Sequence, residues 1–139
     1  GAVLVSGART PVLVSEDLVK SMQKGSVIVD LSVDQGGCVA TSHPTTHRAP
    51  TFIKHGMVHY CVDNMAGAVP ITSTMALTNA TLPYILALAE KGVVGAARSD
   101  PALARGINVM EGKVTISEVA AATGNPYFPL EYVLPIEYM

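Results

Sequence analysis

Two carboxylates four residues apart, Asp30 and Asp34, followed at once by Gln35 and the glycine pair Gly36-Gly37, are the residues of this 139-residue chain best suited to chemistry. They close an apolar, β-branched run, residues 26–31, which reads as a strand buried on both faces of a sheet. In open parallel sheets, ligands sit outside the carboxyl ends of the strands. Asp30, nearer the strand, is expected to hold the following loop by accepting hydrogen bonds from backbone N–H groups, as Asp does in turns. Asp34, further out, is the functional candidate. A second polar, glycine-containing break, Asp63-Asn64-Met65-Ala66-Gly67, ends another apolar run, residues 57–62. Two such breaks are expected side by side at one edge of a sheet.

The histidines and cysteines raise the question of a metal. His43 with His47, and His55 with His59, have the four-residue separation of a helix face, with Cys38 and Cys61 as possible additions. Pro44 interrupts the first pair, however, and the second passes through Gly56 into a strand, where residues four apart need not converge. No metal is expected. Two cysteines do not form a secretory framework, so a reduced, cytoplasmic setting is the default.

The elements that must position the carboxylates follow from patterning. Residues 1–5 read as a short apolar strand. Ser15 is a good N-cap for a helix to about Met22, with Glu16 and Asp17 in its first turn. Val14 could staple onto Val19, and Leu18, Val19 and Met22 form an apolar stripe. Gly25 closes that helix, and the strand at 26–31 completes a βαβ unit with an expected right-handed crossover. Residues 35–55 lack periodicity and read as a long loop, a kind that tends to be functional. A long helix is expected at 72–90, kinked or divided at Pro83 and stopped by Gly92. Asp100-Pro101 starts a short helix to Arg105, and Ser117 caps a last one over 118–123, ended by Gly124. The tail after Asn125, with Pro126, Pro129 and Pro135 and three of the tyrosines, reads as an extended arm. Three strands fall short of the roughly six in a doubly wound nucleotide fold. Partner strands from upstream or from another copy are therefore expected.

Composition narrows the classes. With 49% hydrophobic and 14% charged residues the chain can bury a core, and a formal net charge of -2 without a basic run argues against a nucleic-acid partner. The longest apolar tract, residues 72–89, is broken by Thr74, Thr78, Asn79, Thr81 and Pro83, too polar for a membrane span. Gly1 stands where an initiator methionine would, so the chain reads as processed, cloned or internal to a longer protein.

Several blocks in order carry a resemblance: Gly1-Ala-Val-Leu-Val-x-Gly-Ala, Val29-Asp-x-x-x-Asp-Gln-Gly-Gly-Cys38, Ser42-x-Pro-Thr-Thr-His47, His59-Tyr-Cys-Val-x-Asn-Met65, Gly67-Ala-Val-Pro-x-Thr-Ser-Thr74, Ala76-Leu-Thr-Asn-Ala-Thr-Leu-Pro-Tyr84 and Asp100-Pro-Ala-Leu-Ala104. Together they resemble bacterial NAD-dependent alanine dehydrogenase, from Gly1 to about Pro126; nicotinamide nucleotide transhydrogenase is a relative. The resemblance implies an α/β fold: residues 1–71 as the second half of a Rossmann domain with three parallel strands, and residues 72–139 as a helical return to the substrate domain plus the tail. It implies reversible oxidation of L-alanine to pyruvate and ammonia with hydride transfer to NAD, and a homohexamer.

Asp34 then matches the family's active-site aspartate, beside the nicotinamide and its ribose. Leu31, Ser32 and Val33 match positions along the cofactor. Val3 and Leu4 match a backbone segment near the adenosine and ribose portion, and Val62, Asp63, Asn64 and Met65 match the second nicotinamide-side loop. His43 stands where the family usually has a cofactor-contacting arginine, which would make that contact pH-dependent. Asp63 replaces a usual small residue. The family's glycine turn and its catalytic lysine and histidine fall outside this chain, which implies that the chain does not turn over alone. Two non-catalytic readings remain open: a nucleotide-binding or assembly module, or a transhydrogenase-like NAD-binding subunit. Nucleotide affinity separates the binding readings from pure assembly.

Overall fold

Ser15 begins the first regular element: its side-chain oxygen accepts from the amide of Leu18 at 3.2 Å, and helix α1 runs Glu16–Ser21. The structure is a computed structural model that describes residues 1–134. The chain divides into two compact units, Gly1–Pro70 and the residues from Ile71 onward.

In the first unit, β1 (Val27–Val29), β2 (Thr51–Lys54) and β3 (Met57–Tyr60) form one sheet in the order β1-β3-β2. β1 and β3 are parallel, with Val29 opposite Tyr60, so the chain leaves both strands at the same edge. β2 runs antiparallel to β3 through a two-residue turn, His55-Gly56. Both turn residues have positive φ, 54° and 81°. That is the type I′ arrangement whose twist suits a hairpin.

The sheet is therefore mixed, and the expectation of three parallel strands is corrected in two places. Residues 1–5 are not a strand. Only Gly1 is in register with the chain after β1: its amino group donates to the Val29 carbonyl and its own carbonyl accepts from Leu31 N. The next available amide, Val3 N, turns to the Ser32 hydroxyl because the chain breaks into a turn there. Conversely, residues 51–54 fall in the expected loop and form a strand, because β3 offers a complete backbone partner.

The core of this unit gathers Val19, Ile28, Cys38, Val39 and Met57, with Val3, Val14 and Met22 packed against it. Val14, Val19 and Met22 thus lie inward as expected. Leu18 does not: it is 52% exposed, one position around from the buried side of a helix less than two turns long. Gly25 is not part of the helix end, which Met22 caps; it serves a turn, donating to the Gly56 carbonyl.

In the second unit, α2 spans Pro70–Ser99. The backbone is non-helical only at Gly92 (φ 67°), so Pro83 does not divide it and the glycine does. A proline removes one hydrogen bond, whereas a left-handed residue breaks the helical path. Asp100 caps α3 (Pro101–Arg105), accepting from Ala102 N at 2.8 Å. The stretch expected as a connection forms a hairpin, β4 (Val109–Met110) with β5 (Lys113–Val114), turning at Glu111-Gly112, both of positive φ. α4 covers Ser117–Thr123, capped by Ile116 rather than Ser117, whose hydroxyl donates to Glu118. Gly124 ends it in the left-handed region. Tyr127 bridges Val114 and a short 3-10 turn covers Leu130–Tyr132; Pro135 and Tyr138 of the expected arm lie outside the described residues.

Candidate active site

The turn after β1 is built around Asp30. Its carboxylate is wholly buried. One oxygen, Oδ2, accepts from the amides of Cys38 (2.9 Å) and Val39 (3.2 Å). The other, Oδ1, accepts from Ser32 N (3.1 Å) and from the Cys38 thiol. Burial alone would raise this carboxyl. The Ser42 hydroxyl, the Ser32 and Val39 amides and the Cys38 thiol outweigh it and hold it below its ordinary value. The same neighbourhood pushes the Cys38 thiol up, first through burial and then through the Asp30 charge, so Cys38 stays a thiol and a donor. Asp30 is thus the clamp of the turn, as its place next to the strand suggests.

Gly36 and Gly37, with φ of 109° and 79°, reverse the chain so that those amides reach the clamp. At Gly37 a Cβ would stand 3.0 Å from Asp30 Oδ2.

Between clamp and glycines the chain makes a 3-10 turn, Val33–Gln35, which lifts Asp34 to the surface while Val33 is buried. Asp34 lines a cavity of about 240 Å³ with Ala2, Val3, Leu4, Leu31, Ser32 and Gln35. Five of the expected site residues therefore meet: Val3, Leu4, Leu31, Ser32 and Asp34. The tie is the 2.7 Å hydrogen bond from Val3 N to the Ser32 hydroxyl, which brings residues 2–4 against the turn. The cavity is smaller than the roughly 300–1,000 Å³ of a site enclosing a whole small ligand. It suits part of one. Gln35 also belongs to this lining, and its buried Oε1 has no hydrogen-bond partner.

The chain matches, over residues 1–117, the family described as alanine dehydrogenase/PNT, C-terminal domain. It belongs to that family. It is similar to the alanine dehydrogenases of Lysinibacillus sphaericus (54% identity over 96% of this chain and 36% of that protein) and Bacillus subtilis strain 168 (54% over 98% and 36%). It also superposes on a solved L-alanine dehydrogenase with a TM-score of 0.69 at 52% identity, covering 88% of this chain and 34% of the other. The chain spans about a third of the length of these relatives.

The remaining expected residues of this alanine dehydrogenase/PNT C-terminal domain lie outside the cavity lining. Val62 is buried and bridges Thr45, and Asp63 N donates to the Thr45 carbonyl. This fixes the loop at the carboxyl end of β3, next to the end of β1. Asp63 and Asn64 are exposed, Met65 is half-buried, and Asn64 has a left-handed backbone (φ 55°). The Asn64 carbonyl meets His47 Nε2 at 3.1 Å. His43 stacks on Phe52 at 3.8 Å, and Phe52 on the buried His59 at 4.7 Å. His59 bonds through Nδ1 to the Met57 carbonyl and through Nε2 to the Thr41 hydroxyl at 2.7 Å. His55 pairs with Glu16. His43 and His59 thus share Phe52 while His47 and His55 are engaged elsewhere, and among the described residues no three His, Cys, Asp or Glu side chains gather as a metal site.

A larger cavity of about 310 Å³ in the second unit, lined by Tyr84, Leu88 and Leu103 among others, is apolar. It offers no charged group that could bind or react, and is not the candidate site.

Proposed function

We propose that this chain is the carboxyl-terminal part of an NAD-dependent alanine dehydrogenase, which oxidises L-alanine to pyruvate and ammonia and runs in reverse as a reductive amination. The observation that carries the reading is the exposed Asp34 carboxylate at the cavity beside the carboxyl end of β1. In such a place a carboxylate accepts from a ribose hydroxyl, and a hydrogen bond to a charged group contributes about 1.5–3 kcal/mol. The unpartnered acceptor of Gln35 in the same wall also fits a ligand rich in hydroxyl and amide donors.

NAD, when bound, supplies the hydride acceptor. This chain's residues would hold and orient it: Asp34 by its carboxylate, Val3, Leu4, Leu31 and Ser32 by the cavity wall, and Val33 from beneath. Val62, Asp63, Asn64 and Met65 would do so from the neighbouring strand end. His43, stacked on Phe52, would contribute a ring N–H donor.

Residues 1–71 then act as the second half of the Rossmann domain, and residues from 72 onward as the return to the substrate domain. Self-association as a homohexamer is part of the proposal and rests on the resemblance to alanine dehydrogenases. No described helix is long and apolar enough to cross a membrane; a cytoplasmic location is part of the proposal. The relatives' names favour dehydrogenation over transhydrogenation.

The test is NADH formation from L-alanine by the intact protein containing this chain, with Asp34→Asn beside it. Turnover that the variant abolishes supports the reading. Turnover unchanged by the variant removes Asp34 from the site.

A further inference from the structure

Gln35 holds the one buried side-chain nitrogen or oxygen among the described residues that has no partner, its Oε1. Its main chain is fully engaged: Gln35 N donates to the Ser32 carbonyl at 3.0 Å, and Gln35 O accepts from Thr10 N at 2.9 Å. The residue is therefore fixed in the cavity wall beside Asp34, and only its amide has unmet bonding capacity.

Elsewhere in this turn the buried polar groups are met. Asp30 takes three amides, and the Ser32 hydroxyl takes Val3 N. A desolvated acceptor without a donor costs about 1–3 kcal/mol, so a native protein keeps one where something else relieves it. The relieving group must donate. Carboxylate oxygens and the pyrophosphate oxygens of a dinucleotide carry no proton to donate at neutral pH, and either would face the Asp34 carboxylate.

Consecutive acceptors, Asp34 and Gln35, call for a ligand end that presents neighbouring donors. We propose that Gln35 is a cofactor-binding residue whose side-chain oxygen turns to accept a hydrogen bond from the nicotinamide-riboside end, from a ribose hydroxyl or the carboxamide N–H. This rests on the reading of the cavity as a cofactor site.

The test is NADH titration by fluorescence on the intact protein, for wild type, Gln35→Met and Gln35→Ala, with thermal melts taken without cofactor. Both variants weaken NADH about tenfold, the effect of one lost hydrogen bond. Gln35→Met raises the melting temperature of the free protein, because the unmet acceptor is gone. With the reduced acetylpyridine analogue, which lacks the carboxamide N–H, the penalty disappears if the carboxamide is the partner and persists if a ribose hydroxyl is. Wild-type affinity in both variants overturns the inference, as does a parallel loss of affinity and melting temperature, the mark of a structural residue. Wild-type protein that binds no NADH overturns the cofactor reading and this inference together. Normal NADH binding weakened by Asp34→Asn but not by the Gln35 variants overturns this inference alone.

Discussion

Replacing Asp30 by Asn tests the physical account of the turn most directly. The wild-type carboxylate is wholly buried and accepts from three backbone amides, those of Ser32, Cys38 and Val39. An asparagine keeps one oxygen, which can serve Cys38 and Val39, but its NH₂ then faces Ser32 N, donor against donor. The loss is one charge-assisted hydrogen bond, about 1.5–3 kcal/mol, plus a buried donor left unmet, about 1–3 kcal/mol. The expected destabilisation of the turn is about 2.5–6 kcal/mol. Amide hydrogen exchange at Ser32, Cys38 and Val39 in the intact protein reads it locally: about tenfold faster exchange per 1.4 kcal/mol gives at least about sixtyfold.

The pH dependence has a definite sign. Asp30 is held below its ordinary value in the fold, so its contribution is present above the unfolded carboxyl range, about pH 4, and is lost as pH falls through its folded value. Wild-type protection of these amides should therefore weaken on acidification below about pH 4, and Asp30→Asn should remove that part of the slope. Exchange rates within threefold of wild type, with an unchanged acid slope, would refute the clamp.

Gly37→Ala should destabilise by about 1–3 kcal/mol, since a side chain there is strained at φ 79° and its Cβ would press on Asp30 Oδ2. A thermal melt checks it, and an unchanged melting temperature would mean that the turn shifts freely. Thr41→Val should cost about 1–3 kcal/mol by stranding the buried Nε2 of His59, whereas Thr41→Ser should keep the 2.7 Å hydrogen bond and most of the stability. Urea midpoints separate the two variants, and equal midpoints would count against that bond.

Much of the site was legible because its features are local. The structural role of Asp30 follows from its place next to the strand, and the clamp hydrogen bonds agree with it. Ser15 and Asp100 cap the helices they precede, since a cap is decided by its own side chain and the next two or three amides. The polar, glycine-containing breaks after residues 26–31 and 57–62 were expected side by side, and the parallel pairing of residues 27–29 with 58–60 agrees with that.

What required the tertiary structure depends on partners distant in sequence. Residues 1–5 carry strand-forming side chains, but a strand exists only against a neighbour, and only Gly1 finds one. Residues 51–54 have too short a pattern to read, and β3 makes them a strand. Gly92 ends the helical path as expected, but Pro83 does not divide it, because the helix tolerates one missing hydrogen bond better than a left-handed backbone. The unmet oxygen of Gln35 could not be read at all. Sequence names the donors and acceptors, and only the fold decides which are buried together and which is left without a partner.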